Sequence, residues 1–184
     1  DNEKDALLDN YINAQPENLH SSLTELDSIC NHVLGSITSN RGLSKEQLFK
    51  LFDKTLFSFQ SDNQILSDNI AHSLDYLLEE NLIREGKTQY KPTSFGRQIS
   101  RLYLNPTTGV HFRNSILNAK RNKNYLMGLL YAIVSSTNFG ISFSARKKDS
   151  YRIDSFLSEY ADDLFDPIDV SDYSSNYQFL RSFR

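Results

Sequence analysis

Arginine and lysine side chains, which bind phosphates and carboxylates, recur through the second half of this 184-residue chain. Arg97 and Arg101 stand four residues apart, so on a helix they share one face, where two like charges repel each other. This pairing indicates a shared anionic partner, either phosphates or the carboxylates of a neighbouring domain. The densest basic group comes later in the sequence and comprises Arg146, Lys147, Lys148 and Arg152. Any one of these cations is equally well explained as a solvated surface residue or as a partner of the many carboxylates.

Residue types that could form an active site are present, but not at the spacing that catalysis or metal binding requires. The sequence contains neither G-x-x-x-x-G-K-[ST] nor G-x-G-x-x-G, so it has no usual loop for ATP phosphates or dinucleotides. Cys30 is the only cysteine, and the four histidines lie far apart in the sequence. They are His20, His32, His72 and His111. The sequence therefore predicts no catalytic residue, no metal site and no cofactor of its own.

The composition predicts a mostly helical protein with a real core. Hydrophobic residues make up 39% of the chain, while only 7 glycines and 4 prolines interrupt it. The net charge of −3 argues against wholesale wrapping of nucleic acid, although a local basic patch remains possible. The longest apolar run, residues 125–134, is much shorter than the roughly 20 residues of a membrane span, and no signal peptide pattern is present. We therefore expect a soluble, cytoplasmic protein without a membrane partner.

Hydrophobic periodicity predicts that the first part of the chain is a winged helix. A capping box at Ser44, with a glutamine three residues later, predicts the start of a helix. A change of period over 82–91 predicts two short strands around Gly86-Lys87. The predicted helices cover residues 4–12, 19–39, 43–60 and 64–80. Three helices followed by a hairpin are typical of a winged helix, with 43–60 and 64–80 as its helix-turn-helix pair.

The helix in the recognition position carries the wrong charge for reading DNA. It contains Asp68, Asp75, Glu79 and Glu80, and no lysine or arginine. In a major groove these carboxylates would face phosphates without compensating cations. We therefore expect this helix to pack on protein rather than to contact bases.

A sharp corner follows the predicted hairpin. Thr93 is placed to cap a helix whose apolar face carries Phe95, Ile99 and Leu102. Pro106 ends this helix, because the residue before a proline avoids the α region, and it suits the first turn of the next helix. Further helices are predicted near 106–119, 123–136, 153–164 and from about 176. The last has no C-cap signal, which predicts a fragment, and the predicted fold class is mainly α, a winged helix followed by a partial helical bundle.

The corner also carries a resemblance to a known family. Residues 92–109 read P-T-S-F-G-R-Q-I-S-R-L-Y-L-N-P-T-T-G, which resembles the pattern P-T-x-[FL]-G-x-x-[VI]-S-x-L-Y-[IL]-[DN]-P-x-[ST]-[GA]. This is the pattern of archaeal superfamily 2 DNA helicases, relatives of Ski-type RNA helicases and of the helicase domain of DNA polymerase theta. The run P-E-N-L at 16–19 and the run R-K-K-D at 146–149 resemble two weaker family patterns in the right order, so the resemblance covers nearly the whole chain.

The resemblance implies a non-catalytic part of a larger enzyme. Residues 1–104 would be a winged-helix domain with a linker helix from the second motor domain, and 105–184 a truncated helical ratchet domain. The parent would be an ATP-dependent helicase that uses magnesium and moves 3′ to 5′ on single-stranded DNA in replication-fork repair and recombination. The expected partners are single-stranded or forked DNA and the motor domains of the same chain. The fragment itself would be a monomer, inactive alone and nucleoid-associated through its parent.

Roles for single residues follow from the same resemblance. It implies that Arg97, Arg101, Tyr103 and Pro106 lie at a hinge or an interdomain contact. The basic group from Arg146 to Arg152 is then the expected contact to DNA phosphates.

Two other interpretations stay open at this point. One is a free-standing winged-helix transcription regulator with a helical dimerisation extension, which a basic recognition helix would favour. The other is a fragment of a Ski-type RNA helicase, which the corner pattern does not exclude.

Overall fold

A computed structural model describes residues 2–12, 18–119, 125–136 and 150–166 of the chain. Its helices are α1 (Asn2–Leu7), α2 (Leu26–Ser39), α3 (Lys45–Phe52), α4 (Leu56–Gln60), α5 (Asn63–Glu79), α6 (Ser94–Arg101), α7 (Pro106–Asn118), α8 (Tyr125–Val134) and α9 (Ser150–Tyr160). A π-helical turn follows α1 at Leu8–Ile12, and 3-10 turns lie at Ser22–Thr24 and Ala161–Asp163. The strands are β1 (Ile83–Glu85) and β2 (Tyr90–Pro92). The predicted fold class, mainly α with one small hairpin, is confirmed.

Helix α2 lies at the centre of the main core. Its side chains Ile29, Val33, Leu34 and Ile37 are fully buried. The helix packs against α5, α6, α7 and β2, so it contacts both the three-helix part and the elements beyond the corner. The other buried members of this core are Cys30, Leu48, Phe52, Phe57, Leu66, Ile70, Leu74, Leu77, Leu82, Ile83, Ile99 and Val110. Because a buried core of this kind is the main source of stability, α2 fixes where the remaining elements lie.

Side-chain caps and extended backbone decide where the helices begin, and they correct two predicted boundaries. The capping box at Ser44 is confirmed, since its hydroxyl accepts from the Gln47 amide at 3.2 Å and the Gln47 side chain accepts from the Ser44 amide at 2.9 Å. The predicted single helix over 43–60 is two helices, because Thr55 adopts extended backbone and caps α4. The helix predicted from residue 19 begins at Leu26, because extended backbone at Glu25 separates it from the preceding 3-10 turn.

The hairpin of β1 and β2, which we call the wing, is hydrogen-bonded to the chain just before α3. Strands β1 and β2 pair in antiparallel fashion, with Arg84 opposite Lys91. Leu43, just before α3, pairs with Tyr90 through both backbone groups, at 3.1 and 2.8 Å. The predicted hairpin over 82–91 is therefore present, and its position relative to α3 is fixed by backbone hydrogen bonds.

The corner after α6 is a Schellman motif in which a tyrosine occupies the left-handed position. Tyr103 adopts φ 55°, its amide donates to the Ser100 carbonyl, and the Leu104 amide donates to the Ile99 carbonyl, both at 3.2 Å. The helix therefore ends at Arg101, before the Leu104-Asn105-Pro106 run that was expected to end it. Leu102 lines the same groove as Phe95 and Ile99, as expected for one apolar face, but it lies in the turn and is 66% exposed rather than buried.

The entry into α7 follows the sequence prediction. Asn105 has extended backbone, and its side chain accepts from the Thr107 amide at 3.2 Å. Pro106 occupies the first turn of α7 and is buried. Asparagine thus caps this helix where the helicase pattern often has aspartate.

The second half of the described chain packs around α7. The His111 ring nitrogen Nε2 lies 2.9 Å from the Ala132 carbonyl of α8, and the buried Ser115 hydroxyl donates to the Asp166 carboxylate. The helix expected at 153–164 is α9 with its 3-10 turn, so it begins at 150 rather than 153. The helix predicted from about 176 lies outside the described residues, and the domain boundary at 104 stays a prediction. Within the described ranges, no helix has the length and apolar character needed to cross a membrane.

Arg113 joins the end of α5 to α7. Its guanidinium donates to the Glu80 backbone carbonyl at 2.6 Å and forms a salt bridge with the Glu80 carboxylate. The same group lies 5.4 Å from the centre of the Phe95 ring. Because both charged side chains are about a quarter exposed (27% and 26%), the hydrogen bond to the carbonyl should contribute more stability than the ion pair itself.

Replacement of Arg113 tests this link. We expect Arg113→Gln to lower the free energy of unfolding by about 1.5–3 kcal/mol, the range for hydrogen bonds to charged groups. Urea denaturation followed by circular dichroism measures it. Arg152→Gln removes the same charge from an exposed position on α9 and should change stability by less than about 0.5 kcal/mol. Equal stability of Arg113→Gln and the parent chain would contradict the assignment.

Two glycines form a matched pair for testing how α6 packs on the wing. A Cβ atom at Gly96 would lie 1.9 Å from the Leu82 carbonyl oxygen, whereas one at Gly35 in α2 would meet nothing within 4 Å. We expect Gly96→Ala to destabilise the fold by at least the ~1–3 kcal/mol of an overpacked core. Gly35→Ala should stabilise it by about 0.5–1 kcal/mol, because glycine is unfavourable inside a helix. Thermal unfolding of both variants provides the comparison, and a Gly96→Ala protein as stable as the parent would rule out the close contact.

Alkaline pH should weaken the fold through Cys30. Burial, and to a smaller extent the Asp27 carboxylate, raises the pKa of its thiol from 9.0 to about 12. The folded chain therefore holds this proton more tightly than the unfolded chain, so the stabilisation is full below pH 9 and is lost as the pH rises towards 12. Urea unfolding at about pH 8, 9 and 10 should show falling stability, with a shallower fall in Cys30→Ala. Identical slopes in the two proteins would be evidence against this coupling.

Candidate nucleic acid interface

The structure places the basic residues predicted from sequence in different parts of the chain. Arg146, Lys147 and Lys148 lie outside the described residues, so their contact with phosphates stays a prediction. Arg152 is exposed on α9. Arg97 and Arg101 are exposed on α6, where they line one cleft together with residues that the sequence analysis did not select.

This cleft is lined by five cationic side chains and by no carboxylate among the described residues. It has a volume of about 430 Å³ and lies between the end of α2, the wing and α6. Its cations are Arg41, Arg84, Lys91, Arg97 and Arg101, and we call it the basic cleft. Thr38, Ser39 and Pro92 complete the lining. The chain as a whole has a net charge of −3, so this concentration of positive charge is local.

The end of α2, the hairpin and α6 each contribute cations to the basic cleft through a different local feature. Arg41 follows the α2 C-cap with φ 60°, in a Schellman motif like that of the corner. Arg84 and Lys91 are directly opposite each other in the hairpin, and both are exposed. Arg97 and Arg101 lie one helical turn apart on α6. The pairing across strands and the pairing along the helix each place like charges side by side, which destabilises the chain in the absence of an anion.

Among the described residues, no salt bridge neutralises this group. Within the described part of the chain, the salt bridge found is the one between Arg113 and Glu80, and neither residue lines the basic cleft. The cleft therefore has the charge, and the guanidinium donors, to hold an anion such as a phosphate group.

A second groove continues from the basic cleft along α2. It has a volume of about 590 Å³ and shares Thr38, Ser39 and Arg101 with the cleft. Its lining is otherwise polar, apart from one glycine, and ends at the aromatic ring of Tyr103. The further members are Asn31, His32, Gly35, Ser36, Asn40 and Ser100. The two spaces together offer cations, neutral hydrogen-bond donors and the aromatic rings of His32 and Tyr103.

The two remaining predicted residues occupy the corner. Tyr103 is 93% exposed, and its left-handed backbone is unusual for a bulky residue. Pro106 is buried at the start of α7. The exposed ring of Tyr103 is compatible with a contact to a neighbouring domain, whereas the buried Pro106 is not, and the hinge role itself stays a prediction.

Helix α5 presents acidic residues at its surface. Asp68, Asp75 and Glu79 lie at or near the surface of the helix, and Asp68 accepts a hydrogen bond from Gln64 at 2.9 Å. Glu80, the C-cap, pairs with Arg113. Helix α5 itself therefore contributes no cation for DNA phosphates, and its packing on protein stays a prediction. No group of three or more histidine, cysteine or acidic residues in the described segments has the arrangement of a metal site.

Two of the five cations of the basic cleft, Arg97 and Arg101, were selected from the sequence, whereas the other three were not. The spacing of Arg97 and Arg101 was visible, and the hairpin register could have shown that Arg84 faces Lys91. Arg41 carried no such signal, because its place depends on how the end of α2 packs against α6 and the wing.

Comparison with known proteins identifies relatives over almost the whole chain. No protein family model matches it. It is 31% identical over 175 residues to the ATP-dependent DNA helicase Hel308 of Methanocella arvoryzae, a match that covers 94% of this chain and 23% of the relative. The Hel308 helicases of Pyrococcus abyssi and Pyrococcus horikoshii are 23% and 24% identical over 184 residues, covering 99% of this chain and 25% of each relative. This chain thus spans about a quarter of their length. The predicted resemblance to archaeal DNA helicases is therefore confirmed: over nearly its whole length, this chain is similar to part of the Hel308 DNA helicases.

Proposed function

We propose that this chain is a non-catalytic, C-terminal portion of an ATP-dependent DNA helicase that moves 3′ to 5′ and acts in replication-fork repair and recombination. The observation that carries the proposal is the match over 94–99% of the chain to three proteins named as ATP-dependent DNA helicases. Since the chain has no phosphate loop, ATP and magnesium are bound by motor domains in the remainder of the parent. In this proposal the parent is cytoplasmic and associated with the nucleoid.

Within the helicase, this portion braces the motor domains and guides single-stranded DNA. The three-helix core with its hairpin is the winged helix, and α7 begins the ratchet domain. The rigid corner supports a bracing role, because α7 contacts α2 and Arg113 ties it to the end of α5. The acidic surface of α5 is suited to a protein neighbour with positive charge rather than to duplex DNA.

The two alternative functions, a transcription regulator and a fragment of a Ski-type RNA helicase, have less support than a DNA helicase. A free-standing transcription regulator would need a cationic recognition helix, and α5 contains no lysine or arginine. The match to proteins named as DNA helicases favours DNA over the RNA substrate of Ski-type enzymes.

Unwinding assays with the full-length gene product test the proposal. The substrates are tailed duplexes of DNA and of RNA, with the single-stranded tail on either the 3′ or the 5′ side. We expect ATP-dependent unwinding of the DNA substrate with a 3′ tail, and none with a non-hydrolysable ATP analogue. The 184-residue chain alone should hydrolyse no ATP. Unwinding restricted to RNA, or no strand separation on any substrate, would refute the assignment to DNA helicases.

A further inference from the structure

We propose that the basic cleft binds the phosphodiester backbone of single-stranded DNA and that a base of the same strand stacks on Tyr103. This inference rests on the proposed helicase function for the identity of the strand, while the cleft itself is defined by the described residues. It assigns strand contact to the winged-helix part of the chain, in addition to the predicted contacts of Arg146, Lys147, Lys148 and Arg152.

The distribution of charge is the first argument for an anionic ligand. The fold holds Arg84 against Lys91 and Arg97 against Arg101, and no carboxylate of the described chain lines the cleft that they share with Arg41. A bound phosphate backbone replaces this mutual repulsion with charge-assisted hydrogen bonds. Arginines outnumber lysine in the cleft by four to one, and the planar guanidinium is the group best suited to phosphate oxygens.

The neutral lining is the second argument. Thr38 and Ser39 line both the cleft and the adjoining groove. Serine and asparagine side chains continue the polar surface towards Tyr103. Hydroxyl and amide groups commonly contact the phosphates and sugars of nucleic acids.

The position of Tyr103 is the third observation that supports a nucleic acid ligand. Its side chain is 93% exposed at a position where helices favour glycine, because the backbone there is left-handed. A tyrosine at this position has neither the conformational freedom of glycine nor the benefit of burial. Residues held in unfavourable backbone conformations without a packing reason are concentrated at functional sites. An exposed ring beside a cationic groove is the usual arrangement for stacking a base of a single strand.

These features favour a single strand over a duplex or an acidic protein. A duplex has its bases stacked inside, so it would leave the ring of Tyr103 without a partner. An acidic protein surface would satisfy the arginines but would not need an aromatic ring next to them. Single-stranded DNA uses the cations, the neutral donors and the ring together.

Fluorescence anisotropy of the 184-residue chain with a labelled oligothymidylate, at two salt concentrations, tests the proposal. The double variant Arg97→Gln/Arg101→Gln should weaken binding about tenfold at low salt. It should also make the slope of log K against log salt concentration shallower by roughly 1.4, which is about 0.7 for each phosphate that is no longer neutralised. Lys50→Gln with Lys54→Gln is the matched control, because it removes the same charge at the same spacing from exposed positions outside the cleft. This control should bind within about twofold of the parent chain.

Tyr103→Gly separates a binding role from a structural one. Glycine is favoured at this left-handed position and the tyrosine ring packs on little, so the variant should be at least as stable as the parent. Its affinity for oligothymidylate should nevertheless fall about fivefold or more, as expected when one base no longer stacks on a ring. A variant with unchanged affinity would exclude Tyr103 from the site.

Four other results would overturn the proposal. They are no binding of oligothymidylate at low salt, equal weakening in the two double variants, tighter binding of a blunt duplex, and competition by polyglutamate as effective as that by unlabelled oligothymidylate. The last would identify an acidic protein as the partner. Each concerns only the basic cleft, whereas failure of the full-length product to unwind DNA concerns the proposed function, so the two failures are distinguishable.

Discussion

The close contact between the first turn of α6 and the backbone at Leu82 is the constraint on which the rest of the arrangement depends. The Thr93 amide donates to the Leu82 carbonyl at 3.0 Å, and the Thr93 hydroxyl accepts from the Gly96 amide at the same distance. Without a side chain at Gly96, α6 lies directly on the end of the α5–β1 connection. This junction sets the direction of α6 and, through the corner that follows, the direction of α7. It also places Arg97 beside the wing.

The same junction explains how five cations can share one cleft. Side chains of like charge would separate if their backbones were free to move, but the wing and α6 are held by hydrogen bonds and by the buried residues Ile83 and Ile99. The repulsion therefore remains in the folded chain, and core burial offsets it. Because the backbones that carry these cations are already in place, only side-chain freedom is lost when an anion binds, which favours affinity.

Local signals were sufficient to predict some of this structure, and tertiary packing determined the rest. The capping box at Ser44, the cap at Thr93 and the proline at the start of α7 depend on neighbouring residues, so the sequence predicts them well. The break before α4 and the exposure of Leu102 depend on where the chain turns against the core, which periodicity does not report. The basic cleft is the extreme case, because it joins Arg41, Arg84 and Arg97 from three separate elements.

The acidic residues of α5 and the cations of the basic cleft interact in opposite ways with a nucleic acid. Asp68, Asp75 and Glu79 repel a phosphate backbone and the basic cleft attracts it, so an approaching strand is steered towards the cleft. At the end of α5 the charge of Glu80 is already paired with Arg113. A chain with a net charge of −3 can therefore take part in DNA binding, because the separation of its charges matters more than their sum.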